Sequence, residues 1–362
     1  MTHNLYAAPL SLFSGKARSY LTYKQVPVEE HFADRDVYRE IILPRIGYPV
    51  MPVTITDDDK AIQDTSALMD EFERRAPEPA VRPVGPVQNF VASLFELYGD
   101  EWLVIPAMHY RWVYNRDFAL GEFGKIAAPG ESEATQRAAA EKSSAMFQGA
   151  VPLLGATPDM ADAVEASYLA FLHDFDIHLA DHDFLLGGRP CQGDFGLIGP
   201  LYAHLYRDPA SGQIMKRAAP RVAAWVERMI AQPFVAPGKF LEGDEIPATL
   251  TALLTRMMAE QGPCLLDLFD HVAVFKRDNP GAPIPRMIGM HPFTMAGKTG
   301  SRMMLPYTQW MAQRALDHLA DMDEAARGRV DRLMAMCGGG DLVKAKISAR
   351  VQLANHKIVW DG

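Results

Sequence analysis

The sequence predicts a small α/β domain followed by a long helical region. Three observations carry this. Short apolar segments alternate with helical ones up to about residue 76. A stretch with Pro77, Pro79, Pro83, Gly85 and Pro86 then interrupts the chain. Beyond it, apolar residues recur almost everywhere at helical spacing.

The elements follow in order. Residues 4–8 read as a short buried strand. Ser11 to Ser14 reads as a polar break between Pro9 and Gly15, and a helix follows from Lys16 to Lys24 with Ala17, Tyr20 and Leu21 on one face. Val26-Pro27-Val28 opens a second strand, and Asp34 is placed to cap a helix reaching about Ile46. Met51–Thr56 is the third strand. An acidic turn, Asp57-Asp58-Asp59, joins it to a short fourth at Lys60–Ile62. Asp64 then caps a helix carrying Leu68, Met69 and Phe72, which ends before Pro77. The order βαβ then ββα fits a small mixed sheet with helices.

In the helical region, 87–115 carries Phe90, Leu94, Leu97, Trp102, Ile105, His109 and Trp112 at helical spacing, with a kink expected at Pro106. Helices are expected over Ala134–Leu154, Asp159–His178, Asp194–Tyr206 and Ala218–Met229. Further on, Thr249–Met258, Leu265–Phe275, Leu305–Leu319 and Glu324–Met336 read as helical, and the tail Ala345–Trp360 fits helix or strand.

Composition narrows the function. The 362 residues are 48% hydrophobic and 22% charged, with a formal net charge of -9. That balance argues against nonspecific nucleic-acid binding, which needs a basic surface. No apolar run reaches the roughly 20 residues of a membrane span, so no membrane partner is expected. The apolar start Leu5-Tyr6-Ala7-Ala8 has no preceding basic region, and no signal peptide is read there. Cys191, Cys264 and Cys337 are widely spaced, without a CxxC pair, and read as reduced thiols of a cytoplasmic protein.

The segment richest in chemical meaning is Val50-Met51-Pro52-Val53 with Gln63-Asp64-Thr65-Ser66 shortly after it. A proline in a strand removes a ladder donor and belongs at an edge or in a special geometry. A cis peptide there would leave the Met51 main chain facing outward. The helix start at Asp64 and Thr65 offers N–H groups and a positive dipole end to a carboxylate. A strand edge beside such a cradle suits a small extended peptide.

These residues resemble the glutathione S-transferase superfamily. The resemblance rests on Leu5-Tyr6, Ser11-x-x-Ser14-x-Lys16-x-Arg18 and Lys24, then Met51-Pro52-Val53 and Gln63-Asp64-Thr65-Ser66-Ala67-Leu68. It continues through Phe184-Leu185-Leu186-Gly187-Gly188-Arg189-Pro190, Asp194-Phe195 and Ala224-Trp225-Val226-Glu227-Arg228-Met229. It implies an α/β thioredoxin-like glutathione-binding domain over 1–78 and an all-α substrate domain over 87–232. Residues 233–362 lie beyond it, as a mostly helical C-terminal extension expected to pack on the helical domain.

Carried onto this chain, the resemblance implies that Met51 pairs its main chain with the cysteinyl part of glutathione and that Pro52 is the cis proline allowing it. Asp64 and Thr65, where the family more often has Glu-Ser, would hold the γ-glutamyl end. Ser11 falls where the family places its catalytic serine or cysteine. A serine hydroxyl and the helix dipole would favour the thiolate of glutathione. Ser14 is the other candidate, since the loop before Lys16 varies in length. With no cysteine at 11–14, the resemblance implies conjugation, ether or halide displacement, or isomerisation on a small apolar electrophile, in a homodimer.

The resemblance also implies that His109, Tyr110 and Trp112, on the first helix of the second domain, border the electrophile pocket; the other reading is packing at a domain interface. His178 and His182 stand four apart, a metal-capable spacing, but no Glu lies between them and no metal is expected. Cys191 stands where the family opens a capping box with Ser or Thr, a poor cap, while Asp194 can still help the helix start. A non-catalytic scaffold or regulatory protein on the same fold is the alternative function.

Overall fold

The structure is a computed structural model and describes residues 2–362. A four-stranded sheet is built from β1 (His3–Ala7), β2 (Val28–Phe32), β3 (Val53–Ile55) and β4 (Ala61–Ile62), in the order β2-β1-β3-β4. β1 pairs parallel to β2 and antiparallel to β3, with Tyr6 opposite both His31 and Val53. β4 closes the sheet antiparallel to β3. This is the expected thioredoxin-like βαβ-ββα arrangement.

The helices of this part are α1 (Leu12–Tyr23), α2 (Arg35–Val37), α3 (Leu43–Ile46) and α4 (Thr65–Arg75), with a π-helical turn at Tyr38–Ile42 joining α2 to α3. Tyr6, Ala33, Ile42, Ile46, Val53 and Ile55 form one buried apolar cluster between the sheet and the α2–α3 run. Asp34 caps α2 as expected, its Oδ1 accepting from Asp36 N and Val37 N. The break expected at Ser11–Ser14 is instead the first turn of α1. Ser11 is its cap, and Ser14 Oγ is buried and accepts from Ala8 N at 3.3 Å.

The helical region comprises α5 (Pro86–Glu101), α6 (Val104–Val113), α7 (Arg116–Ala127), α8 (Glu133–Leu153), α9 (Ala161–His178), α10 (Gln192–Ala203), α11 (Pro209–Ala218) and α12 (Pro220–Met229). Beyond these lie α13 (Leu250–Glu260), α14 (Gly262–Asp278), α15 (Pro306–Asp317) and α16 (Glu324–Met336). The helix expected to kink at Pro106 breaks earlier, at Trp102 and Leu103, and Pro106 sits in the first turn of α6, where its missing N–H costs nothing. The extension also holds two antiparallel hairpins, β5 (Gly289–Met295) with β6 (Lys298–Met304) and β7 (Val351–Ala354) with β8 (Lys357–Trp360).

By mutual contact the residues form two compact units. One holds the chain through Val81 with Ala107–Val151 and Ile198–Val235; the other holds Arg82–Pro106, Pro152–Leu197 and Ala236–Gly362. Within the second unit α5 and α10 cross on glycines. A Cβ on Gly99 would stand 2.4 Å from the Gly196 main chain, and one on Gly196 would stand 2.5 Å from Glu96 Cα. Asp194 stands in the first turn of α10 and helps its start as expected, its carboxylate accepting from Cys191 N at 2.9 Å and Leu185 N at 3.2 Å. Cys191 is fully buried, and burial raises its thiol well above its ordinary range.

Candidate functional site

The site grows from the turn after β1. Ser11 N donates to Ala8 O at 3.1 Å, and Ser14 Oγ takes Ala8 N, so the turn is closed from both sides. Ser11 keeps extended backbone angles and its Oγ accepts from Ser14 N at 3.2 Å. This is the geometry of a helix N-cap. The residue is half-buried, and no acceptor for its O–H stands among the described residues.

Beneath it, Lys16 Nζ donates to Ser66 Oγ at 3.2 Å, tying α1 to the tip of α4. At that tip Asp64 is the N-cap. Its Oδ1 accepts from both Ser66 N and Ala67 N at 2.9 Å. Two of the N–H groups expected to face a ligand carboxylate are therefore taken by the protein's own side chain. Thr65 follows as a buried residue in the first turn.

The Met51–Pro52 peptide is cis, and Pro52 is buried. β3 begins only after it, at Val53. Neither main-chain polar group of Met51 has a backbone partner among the described residues.

A cleft of about 450 Å³ opens beside the Ser11 turn. Pro9, Leu10, Phe32, Ile126 and Pro129 give it apolar walls, and Asp34, Glu122 and Lys125 give it polar groups. Pro9 and Leu10 immediately precede Ser11. The opposite wall comes from α7. Burial raises the Glu122 carboxyl, but hydrogen bonds from Lys125 and Arg207 outweigh it and leave the group below its usual range. It is a fixed anion, held on one side by an exposed lysine.

The expected pocket aromatics do not line this cleft. His109, Tyr110 and Trp112 on α6 are 1%, 2% and 8% exposed, and none of them lines the cleft. His109 meets the Tyr110 ring edge-on at 5.4 Å, and Trp112 packs on Phe123 at 5.8 Å. His178, from the other histidine pair, sits with Nδ1 2.7 Å from Thr249 Oγ1, and burial lowers its pKa to about 4.

Residues 5–80 match the family model described as glutathione S-transferase, N-terminal domain. Through these residues the chain is similar to the glutathione S-transferase superfamily. A curated relative, the stringent starvation protein A homologue of Coxiella burnetii, is 31% identical over 83 residues. That match covers 23% of this chain and 39% of the relative, so the chain spans about two fifths of its length. Among solved structures, the β-etherase LigF from a Sphingobium species is 17% identical with a TM-score of 0.49, over 65% of this chain and 97% of that one. A glutathione S-transferase from Methylobacterium radiotolerans in complex with glutathione sulfonate is 19% identical with a TM-score of 0.42, over 68% and 100%. Among the described residues no helix is long and apolar enough to cross a membrane.

Sequence reasoning missed the α7 wall altogether. Glu122, Lys125 and Ile126 belong to one face of α7 at i, i+3 and i+4 spacing, and that spacing was the available signal. It also missed Arg111. Set among His109, Tyr110 and Trp112, it is the one charged side chain of α6, and it is buried.

Proposed function

We propose that the protein is a glutathione-dependent transferase of the serine type, acting on a small apolar electrophile. The observation that carries this reading is Ser11: a helix cap in the glutathione S-transferase-like segment, directly after two residues that line an apolar cleft. Glutathione would lie extended along the Met51 main chain, with its γ-glutamyl end at Asp64 and Thr65. The dipole of α1 and the Ser11 O–H would stabilise the thiolate. The thiolate then attacks an electrophilic carbon held against Phe32 and Ile126. A carbon–sulfur bond forms as the leaving group departs with its electron pair. The ordinary thiol pKa is about 8.5, so stabilising the thiolate raises the nucleophile's population at neutral pH.

Calorimetry with glutathione, followed by turnover of an aryl halide and an aryl ether, tests the reading. Saturable turnover with measurable affinity is expected; neither one observed would refute it.

One observation favours a second reading, a non-catalytic scaffold or regulator. Asp64 fills two of the helix-tip donors that a glutathione carboxylate would use. That reading expects no glutathione binding. Homodimer formation and cytoplasmic residence are further parts of the proposal, and sedimentation and cell fractionation test them.

A further inference from the structure

The turn that carries Ser11 is gripped by a buried cation. Arg111 Nη1 donates to Leu10 O at 2.7 Å. Its Nε and Nη2 donate to Asp208 Oδ2 and Oδ1, each at 2.7 Å, and Nη2 also donates to Ala203 O at 2.7 Å. Both charged side chains are buried, Asp208 completely. The planar fork of a guanidinium is what lets one side chain hold a carboxylate with one edge and a carbonyl with another nitrogen.

Leu10 has two positions at once: it lines the cleft, and it immediately precedes the cap serine. His204 faces the same Leu10 main chain; burial, and after it the Arg111 charge, lowers the imidazole well below its ordinary range. The guanidinium donates to the Leu10 carbonyl directly, at 2.7 Å. Desolvating an ion pair is costly, and a hydrophobic pair of similar volume often serves stability as well. The pair therefore makes more sense as a geometric device than as a source of stability.

We propose that Arg111 is a positioning residue. It fixes the Leu10 carbonyl and so sets the height and direction of the Ser11 hydroxyl at the cleft, while Asp208 balances its buried charge. The inference rests on the reading of Ser11 as donor to the thiolate.

The test compares Arg111→Lys, Asp208→Asn and Ser11→Ala in the full chain. It follows glutathione affinity, kcat and KM with an aryl halide, and the ultraviolet titration of the bound thiol. Lysine keeps a charge beside Asp208, but its compact ammonium lacks the planar fork needed to span Asp208 and Leu10 together. Arg111→Lys is expected to leave glutathione affinity unchanged, lower kcat about tenfold and raise the thiol pKa by roughly one unit. Asp208→Asn retains the Leu10 and Ala203 bonds; it is expected to melt earlier while keeping the wild-type thiol pKa. Wild-type kcat and thiol pKa in Arg111→Lys would overturn the inference, as would identical effects of both variants. Unaltered turnover in Ser11→Ala would instead discard the thiolate reading, and the inference with it. If Arg111→Lys does not fold, the combined Arg111→Gln and Asp208→Asn variant removes both buried charges together. A raised thiol pKa is expected there as well, and an unchanged one overturns the inference.

Discussion

Ser11 Oγ accepts the main-chain N–H of Ser14 at 3.2 Å. The same oxygen that caps α1 is the one proposed to donate its hydrogen to a thiolate. Cap and donor use different parts of the hydroxyl, so substitution can separate them. Ser11→Ala removes both: about 1 kcal/mol of stability is lost with the cap, and turnover falls. Ser11→Asp retains a good cap but has no O–H and adds a negative charge. Its melting temperature should stay close to wild type while turnover falls at least as far. Stability and turnover moving together in both variants would remove the donor role.

Ser14 gives the complementary experiment. Its buried hydroxyl oxygen takes Ala8 N. Ser14→Ala leaves that N–H without an acceptor, at a cost of about 1–3 kcal/mol. Denaturant titration should show the loss, while kcat per folded molecule stays near wild type. A selective loss of kcat would transfer the thiolate role from Ser11 to Ser14.

At the tip of α4, Asp64→Asn tests charge apart from capping. Asparagine caps as well as aspartate, so stability should hold. Glutathione affinity should fall if the carboxylate faces the ligand's amine. Thr65→Val should also weaken binding; equal affinities by calorimetry in both variants would argue that the peptide does not use this tip.

Glu71 on α4 supplies a pH test independent of any ligand. Burial alone would raise its carboxyl, but hydrogen bonds from Lys60, Arg75 and Arg74 outweigh this and lower it from 4.5 to about 2. A depressed folded-state pKa contributes stability that is fully present above the unfolded value and lost as pH falls through the folded one. The gap in melting temperature between wild type and Glu71→Gln should be constant above about pH 5 and close as pH falls to about 2. A gap independent of pH would mean that Glu71 acts through packing alone.

The parts of this molecule legible in sequence are those fixed by short-range chemistry. Asp34 and Asp64 announce their helices because a cap needs only a side-chain oxygen and the next few amides. The start of α1 was misread because Ser14 and Gly15 are weak helix formers. Here Ser14 is paid for by its bond to Ala8, and a Cβ on Gly15 would stand 3.3 Å from the Tyr202 ring. α7 escaped notice because Asn115 makes no side-chain cap bond and Gly121 and Gly124 dilute the pattern. The β5–β6 hairpin turns on Ala296 and Gly297, both with positive φ, a weaker signal than the usual Asn-Gly. In the β7–β8 hairpin Asn355 and His356 take those positions, and Asn355 was the readable clue. Arg111 is a different case. Its partners Leu10 and Asp208 are remote in the chain, and no local pattern distinguishes a buried, paired arginine from a solvated one.

The crossing of α5 and α10 leaves no room for a side chain at Gly99 or Gly196. Even a methyl group there must spread the two backbones apart. A stiffer or looser joint would have to be built at positions flanking Gly99 and Gly196.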